Sequence, residues 1–170
     1  MYKELETDRL RIRPINLGDA KFIIRLVNSE GWLKYIGDRN ITDKNEAEKY
    51  IQKILENQHY YYSIFELKSS NQPIGIVTFL NRENKDFPDI GFALLPEYGK
   101  MGYALEACKK YLDEIIKSNV YKNIIGITAP DNLKSISLLK KLGLLYEHDY
   151  NEDNKALSLF SLIQTKKASN

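Results

Sequence analysis

Between Asp89 and Ala129 the chain reads as strand, glycine-bearing turn, long helix and strand, and this order leaves it few choices of fold. DIGFALL (89–95) is an apolar run with Gly91 inside it. An internal strand glycine marks a bulge or a close backbone approach. PEYGKMG (96–102) follows, with Lys100 and Met101 between Gly99 and Gly102. Leu105, Cys108, Tyr111, Leu112, Ile115 and Ile116 then recur at helical spacing to about Ser118. NIIGITA (123–129) is apolar throughout, the pattern of a buried parallel strand. A strand–helix–strand crossover is right-handed and makes its two strands parallel.

The flanking segments fill in the rest. Leu10, Ile12 and Ile15 alternate with Arg9, Arg11 and Arg13, which predicts a half-buried first strand ended by Pro14. Asn16 to Asp19 offer turn and helix-start chemistry, and Phe22, Ile23, Leu26 and Val27 predict a helix. A second helix follows Thr42–Asp43, with Ala47, Tyr50, Ile51, Ile54 and Leu55 on one face and Asp43 and Glu46 spaced as a capping pair. YYYSIFEL (60–67) and IGIVTFL (74–80) predict a hairpin around KSSNQP, and RENKDFP (82–88) a loop. After PDN comes a short helix, SISLLKKL, stopped by Gly143. LLYEHDY and ALSLFSLI predict a closing hairpin around NEDNK, and the tail TKKASN is expected to fray. The order is β–α–α–β–β–β–α–β–α–β–β, an α/β chain of seven strands and four helices. With no repeat or linker, residues 1–170 are expected to form a single domain.

Composition removes several functional classes. Lys+Arg 25 against Asp+Glu 23 gives +2, so no strong field draws the chain to nucleic acid or membrane. The N-terminal MYKELETDRLRIRP is charged from the start and lacks the apolar core of a signal peptide, and no apolar run is long enough to span a bilayer. The single Cys108 fits a reducing compartment, so a cytoplasmic protein is expected. His59 and His148 show no metal spacing, and no metal is expected. Cys108 lies on an apolar stripe and reads as a buried, inert thiol.

The turn at 99–102 admits two readings. One is chain reversal. The other is an anion cradle: glycine allows φ > 0 and close approach, and the first N–H groups of the following helix have no intrahelical partner. Helix-start amides and the helix dipole suit phosphate or pyrophosphate, with Lys100 at the rim. Neither GxxxxGKS/T nor GxGxxG is present, which excludes a standard P-loop and the dinucleotide fingerprint. Asn132 is an N-cap candidate and Ser135 sits in the first turn of the next helix. That helix start and the cradle open on the same edge of the parallel pair, where ligands of α/β units bind.

Taken in order, ETDRLRIRPINLGDA, PIGIVTF, DIGFALLPEYGKMGYALEA and NLKSISLLKKLGL resemble the GNAT superfamily of acetyl-CoA-dependent N-acetyltransferases, in particular its RimJ/RimL type, across nearly the whole chain. The resemblance implies a mixed, mostly antiparallel twisted sheet with one parallel pair splayed to hold CoA. It implies that Ala93, Leu94 and Leu95 pair with pantetheine as an added strand would. The family's Q/R-x-x-G-x-G/A loop falls on Gly99, Lys100, Met101, Gly102, Tyr103 and Ala104, which would hold the pyrophosphate. Asn132 would face the pantetheine arm and Ser135 the thioester sulfur. Three positions depart from the pattern: Gly99 stands where Gln or Arg is usual, Lys100 where a glycine is often found next, and Leu139 where many members carry a Tyr acid. RimJ/RimL-type enzymes often use the serine instead.

This chemistry assigns roles. Amine attack on a thioester needs a base or water chain, and Asp89 is the candidate, with Glu106 a second carboxylate nearby. An N–H near Leu94 or Leu95, freed by a strand irregularity, would steady the oxyanion. Ser135 or water would protonate the leaving thiolate. Trp32 and Tyr35, between the first two helices, and Tyr61 in the aromatic run are the acceptor-contact candidates. Acetyl-CoA is the expected cosubstrate and an amine the partner, with homodimerisation, common among the proteins it resembles, left open. The competing readings are a non-catalytic acyl-CoA-binding or sensing domain and a nucleotide-binding regulatory domain.

Overall fold

A computed structural model describes residues 3–163; the tail TKKASN lies outside them. The described residues form eight strands and five α-helices: β1 (Leu5–Glu6), β2 (Leu10–Pro14), α1 (Ala20–Val27), α2 (Glu30–Tyr35), α3 (Lys44–Glu56), β3 (Tyr60–Leu67), β4 (Gln72–Leu80), β5 (Asp89–Leu94), α4 (Tyr103–Ser118), β6 (Asn123–Thr128), α5 (Leu133–Lys141), β7 (Leu145–Glu152) and β8 (Lys155–Ile163). One sheet carries all strands in the order β1-β2-β3-β4-β5-β6-β8-β7. β5 and β6 are the parallel pair and the remaining pairs are antiparallel.

The predicted elements are present, and two are added. β1 has two residues, too few for any alternation to register. α2 has six, less than two turns, so its one buried side chain, Trp32, carries no helical period. Both helix-start expectations hold: Asn16 with Asp19, and Asp43 with Glu46, form reciprocal capping boxes. Gly91 is not a bulge, since β4 and β5 pair in continuous register from Gly75↔Leu94 to Leu80↔Asp89. A Cβ there would lie 2.6 Å from Thr78 Oγ1, so the glycine serves close approach.

Helices cover both faces of the sheet. On one, α4 and α5 pack Ala107, Cys108, Leu112, Ile115 and Leu139 against Phe65, Val77, Phe79, Ile90 and Phe160. On the other, α1 to α3 bring Phe22, Ile23, Leu26, Trp32 and Ile51 onto Ile64, Ile76 and Leu95. Strand alternation sorts β5 accordingly: Ile90, Phe92 and Leu94 face α4, and Asp89, Gly91 and Ala93 face the α1–α3 layer. Burial places Cys108 out of reach and pushes its thiol up, as expected of an inert core cysteine.

Candidate active site

The parallel pair is joined at one register position, Asp89↔Ile125, with the Ile125 N–H donating to the Pro88 carbonyl at 2.9 Å. Beyond it the strands part into a wedge. The Ile127 N–H, next in line on β6, favours the ionised Asp89 carboxylate. Which β5 groups face the wedge follows from alternation. The Leu95 N–H donates to the Ile74 carbonyl at 2.9 Å, so Leu95, Ala93 and Gly91 turn their backbone toward β4. Ile90, Phe92 and Leu94 turn theirs toward β6; Ile90 closes the one rung with Ile125, and beyond it no described β6 residue pairs with Phe92 or Leu94. Of the three residues expected to pair with a ligand strand, Leu94 alone offers its backbone to the gap. Ala93 and Leu95 are committed to β4, and Phe92 is the residue that sequence reasoning passed over. The free N–H at Leu94 needs no strand irregularity; ordinary alternation beside a departing neighbour supplies it.

At the wide end, Pro96–Tyr98 forms one 3₁₀ turn, and the chain then enters α4 through two left-handed residues, Lys100 (φ 64°) and Gly102 (φ 81°). Gly99 is extended (φ −62°), so the positive φ expected there falls on Lys100 instead. Glu106 is the first residue of α4 whose N–H reaches a carbonyl outside the helix, that of Gly102 at 3.0 Å. The amides of Lys100 to Leu105 meet no backbone carbonyl of the flanking turn and form an outward nest. Met101 and Gly102 are exposed at its mouth.

The β1–β2 turn braces this nest from behind. Arg9 donates from Nη1 to the Met101 carbonyl (3.0 Å) and from Nε to Glu106 Oε2 (2.7 Å), and its guanidinium lies 4.3 Å over the Tyr103 ring. Thr7 Oγ1 and the Arg9 N–H donate to the other Glu106 oxygen. Burial works against ionisation of Glu106, but these hydrogen bonds outweigh it and hold the carboxyl below its ordinary range. Glu106 is therefore a strut for the loop. Arg9→Ala is expected to weaken binding of a diphosphate ligand about three- to tenfold, a loss of roughly 1 kcal/mol, measured by titration calorimetry with CoA.

The second helix start opens beside the first. Asn132 Oδ1 accepts the Ser135 N–H at 3.2 Å, the cap expected from sequence. Its amide nitrogen remains available. Ser135 is half-buried and its hydroxyl makes no hydrogen bond among the described residues. Leu139 is 1% exposed in the core, so that position supplies no acid. Two ion pairs tie the α1–α2 layer across the wedge mouth, Arg25–Glu97 (2.6 Å) on the β5 side and Lys34–Asp131 (3.3 Å) on the β6 side.

Asp89 sits at the wedge apex, on the α1–α3 face, 4% exposed. Arg82 reaches its Oδ2 from Nε (3.0 Å) and Nη2 (2.9 Å). Burial pushes the Asp89 carboxyl above its ordinary range; the Arg82 charge, its hydrogen bond and the Ile127 N–H pull it down without cancelling that. Arg82 also lines an open cavity of about 370 Å³, with His59, Tyr60, Asn81 and Asn84. Tyr62 packs in the α1–α3 layer near Arg39, Arg82 and Tyr50, and burial pushes its phenol up. Tyr61 does not share this face: it packs in the α4 layer and donates its hydroxyl to the Gln58 carbonyl at 3.0 Å. Tyr62 takes the place expected for Tyr61. Trp32 is buried on α2, and Tyr35, half-buried, lies under the Lys34 ammonium at 4.6 Å. His59 and His148 are exposed, and no group of metal-ligating side chains occurs among the described residues.

Residues 9–145 match a family model described as an acetyltransferase (GNAT) domain. The chain is 30% identical to the uncharacterized N-acetyltransferase p20 of Bacillus licheniformis, over 96% of its own length and 98% of the relative's. Its fold is similar to that of a GNAT-family acetyltransferase from Bacillus anthracis (TM-score 0.80, 20% identity, 95% and 98% of the two chains). It is also similar to RimL, a ribosomal L7/L12 α-N-protein acetyltransferase solved with coenzyme A (TM-score 0.81, 12% identity, 95% and 98% covered).

Proposed function

Because this chain belongs to the GNAT acetyltransferase family and is an N-acetyltransferase, we propose that it moves acetyl from the thioester of acetyl-CoA to a primary amine by direct attack, with the donor lying in the β5–β6 wedge. The observation that carries this is the wedge itself: unpaired β5 backbone leads from a buried carboxylate to a nest of unpaired helix-start amides. The residues fit the donor. Phe92 and Leu94 offer the donor and acceptor groups that an amide-bearing pantetheine arm needs, as an added strand does. The amides of Lys100 to Ala104 suit a diphosphate, and the Lys100 side chain adds charge at the rim. Asn132 keeps its side-chain nitrogen for the same arm. RimL, solved with coenzyme A, shares this fold.

Three things must then happen to the acceptor and thioester. The ammonium loses a proton, and Asp89 takes it through water, with Arg82 and the adjacent cavity linking the carboxylate to solvent. The amine nitrogen bonds to the acetyl carbon, and the Leu94 N–H meets the oxyanion that forms. The C–S bond breaks and the thiolate leaves, taking up through Ser135 or water the second proton that the attacking nitrogen sheds as the amide forms. A thiol ionises near pH 8.5, so its departure needs little help, and holding the reactants together carries much of the rate.

The direct test pairs thermal shift by acetyl-CoA with release of CoA thiol in the presence of amines. Stabilisation together with thiol release is expected; stabilisation with no release on any amine would overturn the transfer reading. Ser135→Ala is expected to lower kcat about 3- to 30-fold while changing acetyl-CoA affinity less than twofold. A loss confined to affinity would make Ser135 a binding residue.

A further inference from the structure

We propose that the acceptor is a primary amine that also bears a carboxylate, and that Arg39 and the Trp32 indole N–H hold that carboxylate; the inference rests on the acetyltransferase reading above. The motive is a surplus of hydrogen-bond donors on the α1–α3 face. Trp32 is 5% exposed and its Nε1 is buried with no hydrogen-bond partner. A buried indole N–H ordinarily finds an acceptor, since leaving it unmet costs about 1–3 kcal/mol. Arg39 lies over the same side chain, its guanidinium carbon 5.9 Å from the ring centroid. It forms no ion pair among the described residues: neighbouring Asp38 instead accepts the Asn40 N–H at 2.7 Å. So a guanidinium and an orphaned indole N–H adjoin one another, and neither has an acceptor among the described residues.

The same face holds the opposite charge. The Arg39 and Arg82 charges both bear on the Tyr62 phenol, and Arg82 carries Asp89. A ligand with its ammonium toward Asp89 and its carboxylate toward Arg39 matches both ends. The guanidinium fork suits a carboxylate in particular, because two parallel N–H groups meet two oxygens. An amine without the acid leaves both donors unmet. Sites built to hydrogen-bond a group discriminate strongly against analogues that lack it.

Trp32 is the chain's one tryptophan, so its fluorescence reports this site independently of turnover. The CoA-loaded protein is titrated with matched pairs, β-alanine against propylamine and Ser-Glu amide against Ser-Gln amide, and thiol release is measured on the same pairs with acetyl-CoA. The expected result is at least tenfold tighter binding, and at least tenfold higher kcat/KM, for the acid member of a pair. Arg39→Ala brings both ratios toward one, and Arg39→Lys restores part of them. Equal binding of both members, or a preference that survives Arg39→Ala, overturns the proposal. Discrimination in fluorescence with no thiol release upholds the carboxylate site and sinks the transfer reading; equal thiol release from both members does the reverse.

Discussion

Gly102→Val is expected to lower affinity for acetyl-CoA roughly 30- to 100-fold, about 2–3 kcal/mol, while the protein remains folded. Gly102 holds φ 81° at the mouth of the amide nest and caps α4 without a side chain. A β-branched residue in that conformation is strained by about 1–2 kcal/mol, and the chain relieves the strain by turning the flanking peptides. Those peptides carry the N–H groups that would meet the diphosphate. A Cβ would also lie 3.5 Å from Arg9 Nη2, against the brace that fixes the Met101 carbonyl. Calorimetry with CoA and with dephosphorylated pantetheine separates the causes. The loss should be large for CoA and small for pantetheine, which lacks the diphosphate. Equal losses would move the anion site elsewhere.

Asp89→Asn is expected to lower kcat about 10²-fold or more with acetyl-CoA affinity kept. In the unaltered enzyme the rate falls as acid protonates the base, and the midpoint of that limb lies above the 3.8 ordinary for aspartate because burial raises the carboxyl. Arg82→Ala removes the charge that opposes this rise, so the limb moves to higher pH still. A limb unmoved by either change would assign the proton to another group. The stability linkage has a definite sign. With its folded value raised, Asp89 contributes stability that is fully present below its unfolded value and is lost as pH rises through the folded one. At neutral pH the ionised carboxylate is thus a burden on the fold, and the amide relieves it. Arg82, left unpaired by Asp89→Asn, is 41% exposed and finds water. The melting temperature should therefore change little, which separates loss of base from loss of structure.

The frame of this fold was written in its periodicities, and the site was legible where it depends on backbone. Amides at the start of a helix after GKMG, and a cap at Asn132, follow from local chemistry, and both stand where they were expected. What escaped was set at a distance. The alternation of Arg9, Arg11 and Arg13 reads as a solvated face. Yet Arg13 is tied to Asp19 (2.8 Å) and to buried Glu66 (3.0 Å), and Arg9 braces a loop ninety-odd residues away. No spacing in one sequence reveals which carboxylate a surface-looking arginine will meet. Glu106 reads as a second candidate carboxylate for the same reason, and the structure shows it claimed by Thr7 and Arg9. Tyr61 and Tyr62 differ by one step along β3, and the hairpin's register decides which of them shares a face with Asp89.

The single rung between β5 and β6 divides the sheet into a five-stranded leaf and a three-stranded leaf, sewn together at Asp89 and Ile125. Each leaf has its own ladder; between them run one backbone stitch, the packing of α4 and α5, and side-chain ties such as Lys34–Asp131 and Lys85–Glu152. A molecule lying in the gap supplies the missing rungs to the first leaf and touches the second, so occupancy is felt as cohesion of the whole domain. At a hundred times its dissociation constant such a molecule adds about 2.7 kcal/mol to global stability. If the thioester lies there, its saturation would close the seam that the sequence leaves open, and stiffness would become a readout of loading.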